Sequence, residues 1–129
     1  MTEEAISTDI RRFLLTSISS VPYLEALLLL RSEPERAWDS LDMAQRLYIG
    51  EERARQLLQE LIAAGIAVGT NANPLQGQYQ PALPELQRML DRVADCYVRH
   101  LVEVTQLIHS KLDKRAQQFA DAFKWRQDT

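Results

Sequence analysis

Few residues of this chain are of the types that carry out metal, nucleophilic or acid–base chemistry. The two histidines, His100 and His109, are nine residues apart on one predicted helix, whereas metal ligands on one helix face are usually three or four residues apart. Cys96 has neither a second cysteine nor a cationic pair that would lower its pKa. We therefore predict no metal site and an ordinary thiol.

The carboxylates also form no catalytic pattern. Asp91, Asp95 and Glu103 lie on one predicted helix, but three arginines are interleaved with them at pairing distance, which favours surface ion pairs. The sequence contains no glycine-rich phosphate loop and no recognisable Ser/His/Asp arrangement. We therefore expect a protein that is not an enzyme, with no catalytic residue and no cofactor.

Length and composition limit which classes of protein remain possible. The 129 residues suffice for one domain with helical extensions, and 46% hydrophobic with 26% charged residues is the ordinary globular balance. No apolar run approaches the roughly 20 residues of a membrane span, and the N-terminus lacks the basic start of a signal peptide. We expect a cytoplasmic protein with no membrane partner. Because the net charge is −3, any DNA binding must come from local charge.

Chain breakers are concentrated in the middle of the sequence, where all four glycines and four of the five prolines fall between residues 34 and 84. Apolar spacing predicts an N-terminal helix over residues 3–19 and a second helix from Pro22 to about residue 32. Trp38 is assigned to a short loop. Strand-like alternation in 66–70 and 76–81 predicts a small hairpin.

Two short helices separate that loop from the hairpin. Ser40 can cap the first, whose inward residues are Leu41, Ala44 and Leu47. Gly50 breaks the chain, and the second helix runs from residue 51 to a stop at residue 65.

The region after Pro84 is predicted to be one helix of about 28 residues to Leu112, followed by a last amphipathic helix ending near Trp125. The long helix has two neighbouring apolar stripes and is longer than one small domain can cover. We therefore predict a homodimer. Its candidate interface residues are Leu90, Val93, Tyr97, Leu101, Val104 and Ile108.

The order helix, helix, turn, helix, hairpin and long helix resembles the winged helix-turn-helix domain of bacterial transcription regulators of the MarR and PadR type. The resemblance covers residues 23–83, and the stretches LEALLLLR and FADAFKWR are also similar to small uncharacterised bacterial proteins of this shape. It implies a mainly α fold with a small β-hairpin, an N-terminal helix (1–20), a winged domain (21–84) and a dimerising C-terminal part (85–129). The residues that carry it are Leu41, Ala44, Leu47, Ala54, Leu57, Leu58, Leu61, Gly65, Ile66 and Val68, with the wing at 71–80.

In this family the second helix of the motif lies in the DNA major groove, and that helix corresponds here to residues 51–64. Its candidate base-contacting residues are Arg53, Arg55, Gln56 and Gln59. Arginine can donate two hydrogen bonds to guanine, and glutamine pairs in the same way with adenine. The resemblance thus implies a dimeric transcription regulator with double-stranded DNA as its partner.

The charge distribution supports an alternative. Glu51 and Glu52 stand where this helix would approach phosphates, and residues 70–84 include no charged side chain. Between residues 34 and 69, acidic residues outnumber basic ones six to four. The same fold would then serve as an interaction module that binds a protein partner and no DNA.

Overall fold

A computed structural model describes residues 6–70 and 74–127, with side chains up to residue 121 except that of residue 115. The chain divides into two compact units. One is formed by both ends of the chain, up to Val21 and from Asp95 onward, and the other is Pro22–Ala94.

The central unit is built around helix α2 (Val21–Ser32), which is apolar on nearly every side. Pro22 stands in its first turn, where a missing N–H breaks no hydrogen bond. Its buried residues are Tyr23, Leu24, Ala26, Leu27 and Leu30. Burial of so many large side chains makes α2 the core helix of this unit, as its composition predicts.

A three-stranded antiparallel sheet follows in this unit, with strands β1 (Ala37–Asp39), β2 (Ala67–Thr70) and β3 (Gln76–Tyr79) in the order β1-β3-β2. The predicted hairpin is confirmed as β2 and β3, although its turn at residues 71–73 lies outside the described residues. The loop predicted around Trp38 is wrong, because these residues pair with β3 as a third strand.

Helix α3 (Ser40–Leu47) begins directly after β1. The carboxylate of Asp39 accepts the backbone N–H of Asp42 at 2.8 Å and caps the helix. Ser40 is therefore the first helical residue and not the predicted cap, because the aspartate before it provides a charge-assisted cap.

The inward side of α3 is centred on Met43 and Ala44, which are buried, while Leu47 is half-buried. Leu41 is 51% exposed, so its predicted inward position is wrong. At about 100° per residue, Leu41 is turned away from the direction that Met43, Ala44 and Leu47 share.

The turn between α3 and helix α4 (Glu51–Ala63) contains a bulky residue in left-handed conformation. Tyr48 has φ 57° and ψ 46°. Gly50, the predicted breaker, has extended backbone and precedes α4 as its N-cap. At the other end of α4, Gly65 has φ 75°, which ends the helix as predicted.

Two glycines let α4 pack closely on the sheet. Gly77 of β3 pairs with Gly69 of β2. A Cβ atom on Gly77 would lie 2.6 Å from Cδ1 of Leu58, and one on Gly69 would lie 2.9 Å from Cδ1 of Ile62. The side chains of α4 therefore rest directly on the strand backbone.

The order α2, β1, α3, α4, β2, β3 with this sheet is the winged helix-turn-helix architecture: α3 and α4 form the helix-turn-helix, and β2 and β3 form the wing. The predicted fold class, mainly α with a small β-hairpin, is confirmed.

The single long helix predicted after Pro84 is wrong, because the structure has helices α5 (Pro84–Arg99) and α6 (Leu101–Gln127). The break is confined to His100, whose N–H still donates to the carbonyl oxygen of Cys96 at 2.8 Å. The last helix is not separate, since α6 continues through residues 113–115, which contain neither glycine nor proline.

The unit made of the chain ends contains helix α1 (Thr8–Ser17), which packs against α6. The predicted start at Glu3 lies outside the described residues, and Ser7 is extended and caps the helix through its hydroxyl. At the other end, the Lys111 ammonium donates to the carbonyl oxygens of Leu14, Leu15 and Ile18 at 3.4, 3.0 and 2.6 Å. A lysine of α6 thus caps the C-terminus of α1.

Among the described residues, no single helix has the length and hydropathy to cross a membrane; α1 and α2 meet that test only as a pair, across the break between them.

Candidate nucleic-acid interface

The second helix of the helix-turn-helix motif, α4, has one buried and one exposed side. Ala54, Leu57, Leu58 and Leu61 are buried against the core. The four predicted contact residues, Arg53, Arg55, Gln56 and Gln59, are all exposed. The structure therefore brings them together on the accessible side of one helix.

The two arginines occupy opposite edges of that exposed side. They are about 160° apart around the axis, since an α-helix turns about 100° per residue. The same count places Gln56 and Gln59 between them. In a groove, the middle of this side, which also includes Glu52, would face the base edges, and one arginine would stand at each of its margins.

Arg55 is already engaged by a carboxylate. Its Nη2 donates to both carboxylate oxygens of Glu52, at 2.6 Å from Oε2. Arg53, in contrast, forms no ion pair with any described residue. This ion pair was not predicted, although the three-residue spacing of Glu52 and Arg55 indicates it.

A cleft of about 720 Å³ lies beside the first turn of α4. Inside it, the buried Ser40 places its Oγ 3.5 Å from Oε1 of Glu51. The lining residues are Ser40, Glu51, Glu52, Arg55, Gln59, Pro74 and Leu75. The Arg55 edge of α4 therefore faces the side of the wing, and the cleft has two carboxylates against one guanidinium.

The central unit has a net negative charge. Residues 22–94 contain ten acidic side chains against seven arginines and no lysine. Arg31, Arg36 and Arg46 pair with carboxylates at 3.0 to 3.8 Å, as Arg55 does. Nonspecific attraction to phosphate must therefore come from very few cations.

Tyr48 is a surface feature that was not predicted from the sequence. Its side chain is 94% exposed, two residues before the N-cap of α4. Leu41 and Gln45 are exposed on the outer side of α3, and Tyr48 follows directly after the last residue of that helix. No local signal indicated it, because the residue whose type favours a turn here is Gly50.

The six candidate dimer residues differ in accessibility. Leu90, Val93, Val104 and Ile108 are buried within this chain. Tyr97 is half-buried, and Leu101 is 52% exposed. Leu101 instead stands beside two apolar residues outside the predicted set, Val98 (82% exposed) and Val102 (59%).

The residues considered for metal or redox chemistry lie on α5, on α6 and at the residue between these helices. No group of three potential metal ligands occurs in the described part of the chain. Burial raises the pKa of the Cys96 thiol, and the carboxylates of Asp95 and Glu103 raise it further. A thiol with a raised pKa is a weak nucleophile at neutral pH.

Comparison with known proteins yields matches to solved structures at low identity. No protein family model and no curated protein matches this sequence. RV1404 from Mycobacterium tuberculosis is 13% identical, with 85% of this chain and 69% of that chain covered and a TM-score of 0.43. A possible transcriptional regulator from Methanosarcina mazei Go1 is 14% identical, with 94% and 95% covered and a TM-score of 0.47. The adhesin competence repressor AdcR from Streptococcus pyogenes is 18% identical, with 87% of each chain covered and a TM-score of 0.41.

Proposed function

We propose that this protein is a DNA-binding transcription regulator of the MarR or PadR type that acts as a dimer. The observation that carries the proposal is the exposed side of α4, where two glutamines lie between two arginines. These side chains suit base edges and phosphates, and they stand on the helix that a winged helix-turn-helix domain inserts into the major groove.

Removing both arginines of α4 is expected to abolish most DNA affinity. We expect R53A/R55A to bind random-sequence duplex at least about tenfold more weakly than the parent at low salt. The slope of log affinity against log salt should flatten by about 0.9 for each phosphate that the variant no longer neutralises. Fluorescence polarisation at several salt concentrations measures both quantities.

A charge-matched control is R88A/R92A, which removes two exposed arginines of α5 in the same unit. This variant should keep nearly the parent affinity. Equal losses in the two double variants would mean that net charge alone governs binding. Unchanged binding by R53A/R55A would move the DNA-binding surface to the basic residues of α6.

The second candidate is a protein-interaction module. It is favoured by the wing, since residues 70–84 include no charged side chain, and by the carboxylates of Glu51 and Glu52 in the cleft. If the parent protein fails to bind duplex DNA even at low salt, this candidate replaces the first.

The dimer proposal rests on α6 and on the end of α5. Val98, Leu101 and Val102 are exposed apolar side chains at three- and four-residue spacing, and Phe119 is 73% exposed. From Leu112 to residue 121, every described side chain is exposed. Helices are stabilised mainly by packing of an apolar face, so a second copy of the chain is proposed to cover this one.

Placing charge in the exposed apolar patch is expected to produce monomers. V98D/L101D would bury two carboxylates in a dry interface, and we expect at least a tenfold rise in the dimer dissociation constant. Sedimentation equilibrium over micromolar concentrations measures it. Val68, an exposed residue of the wing, offers the control V68D, which should remain dimeric. A parent protein that is monomeric at tens of micromolar would refute the dimer.

A further inference from the structure

We propose that Glu52 and Arg55 act as one coupled pair that selects a cytosine and a guanine edge in the major groove and discriminates against phosphate. The inference rests on the proposed DNA-binding function and adds to it the residue that determines specificity. Its starting observation is the hydrogen bonding of Arg55 Nη2 to both carboxylate oxygens of Glu52.

The pair contributes little to folding, because both of its side chains are in contact with solvent. Both side chains are at least half exposed, at 51% for Arg55 and 66% for Glu52. Exposed ion pairs at this spacing have small effects on stability because water and salt screen them. Both residues also line the cleft beside the wing, on the side of α4 that would meet DNA.

The ion pair engages Nη2 of Arg55, the nitrogen that takes part in both bidentate hydrogen-bonding modes. A guanidinium makes two parallel hydrogen bonds either with Nη1 and Nη2 or with Nε and Nη2, so both modes use Nη2. Nη2 has two hydrogens and both are engaged by Glu52, so Arg55 must give up at least one of these hydrogen bonds before it can bind guanine in either mode. Every target of Arg55 is in competition with this carboxylate.

The freed carboxylate oxygen determines which DNA group leaves both Arg55 and Glu52 with a favourable partner. Near a phosphate, Glu52 is repelled, so Arg55 finds a new partner while Glu52 is left beside a like charge. At a cytosine, the same carboxylate accepts a hydrogen bond from the N4 amino group. A DNA site that offers guanine to Arg55 and cytosine to Glu52 provides hydrogen-bond partners for both side chains. The phosphate backbone provides a partner for Arg55 alone.

The test compares E52Q with the parent and with E25Q, which removes an exposed carboxylate of α2 and so makes the same charge change elsewhere in the unit. We expect E52Q to bind random-sequence duplex 3- to 10-fold tighter at low salt, with a steeper salt dependence, and E25Q to change by less than twofold. Thermal unfolding of each variant reports whether it is folded.

Selection from a randomised duplex pool supplies the second readout. The parent should enrich guanine and cytosine at adjacent positions, E52Q should lose the cytosine preference, and R55K should keep random-sequence binding while losing guanine. If E52Q matches E25Q on random DNA and enriches the same sequences as the parent, the inference is overturned while the regulator proposal stands. If no variant binds duplex, the regulator proposal fails and the inference fails with it.

Discussion

Replacing Trp38 with alanine is expected to lower the free energy of unfolding by about 3–5 kcal/mol. The indole is fully buried in strand β1 of the winged domain. The guanidinium of Arg36 lies 3.6 Å from the ring centroid, and that of Arg46 lies 5.5 Å away. The substitution therefore leaves a cavity and removes the ring with which both guanidinium groups form cation–π interactions.

Urea denaturation followed by circular dichroism measures this loss. W38F serves as the control and should be milder, since phenylalanine keeps an aromatic ring under Arg36. The indole Nε1–H donates to no described residue, so W38F removes no hydrogen bond to the described part of the chain. A loss below about 1 kcal/mol for the alanine variant would contradict the packing described for Trp38.

Replacing Lys111 with methionine is expected to cost about 1.5–3 kcal/mol, the range for hydrogen bonds made by a charged group. Its ammonium donates to three carbonyl oxygens at the end of α1. A cation also interacts favourably with the negative end of a helix dipole, so the variant loses both effects. Chemical denaturation reports the global loss, and hydrogen exchange in the last turn of α1 reports the local one.

Lys114 provides a matched control for this variant. It lies on the same helix three residues later and is exposed. K114M removes the same charge from α6 without touching α1, so it should change stability by less than about 0.5 kcal/mol. Equal effects of K111M and K114M would show that the capping hydrogen bonds contribute nothing measurable.

The elements that sequence alone predicted are those with strong local signals. Helix α2 is apolar on nearly all sides, and α4 has acidic residues at its start and Gly65 at its end. The hairpin is bounded by turn residues. In each case the local preference and the final packing agree, so the pattern was sufficient.

The missed elements depend on interactions that are distant in sequence. Strand β1 has three residues, too few for an alternation to be recognised, and it forms only because β3 pairs with it about 40 residues later. The break at His100 has neither glycine nor proline to indicate it. Apolar spacing continues across that residue, so periodicity predicted one helix.

For the candidate site, the sequence predicted which side chains are exposed but not how they pair with their neighbours. Exposure of Arg53, Arg55, Gln56 and Gln59 follows from helical periodicity, because they lie opposite the apolar side of α4. The engagement of Arg55 by Glu52 is a choice among rotamers, which periodicity does not specify.

The paired glycines beneath α4 limit how the wing can move. Sliding β3 by one residue would place Gln76 or Gln78 where Gly77 now meets Leu58, and the other face of the strand would turn inward. The close approach of α4 leaves no space for such a side chain. The alignment of β2 and β3 is therefore fixed in the unbound protein. Binding a partner through α4 then requires no loss of conformational entropy where this helix packs on the sheet.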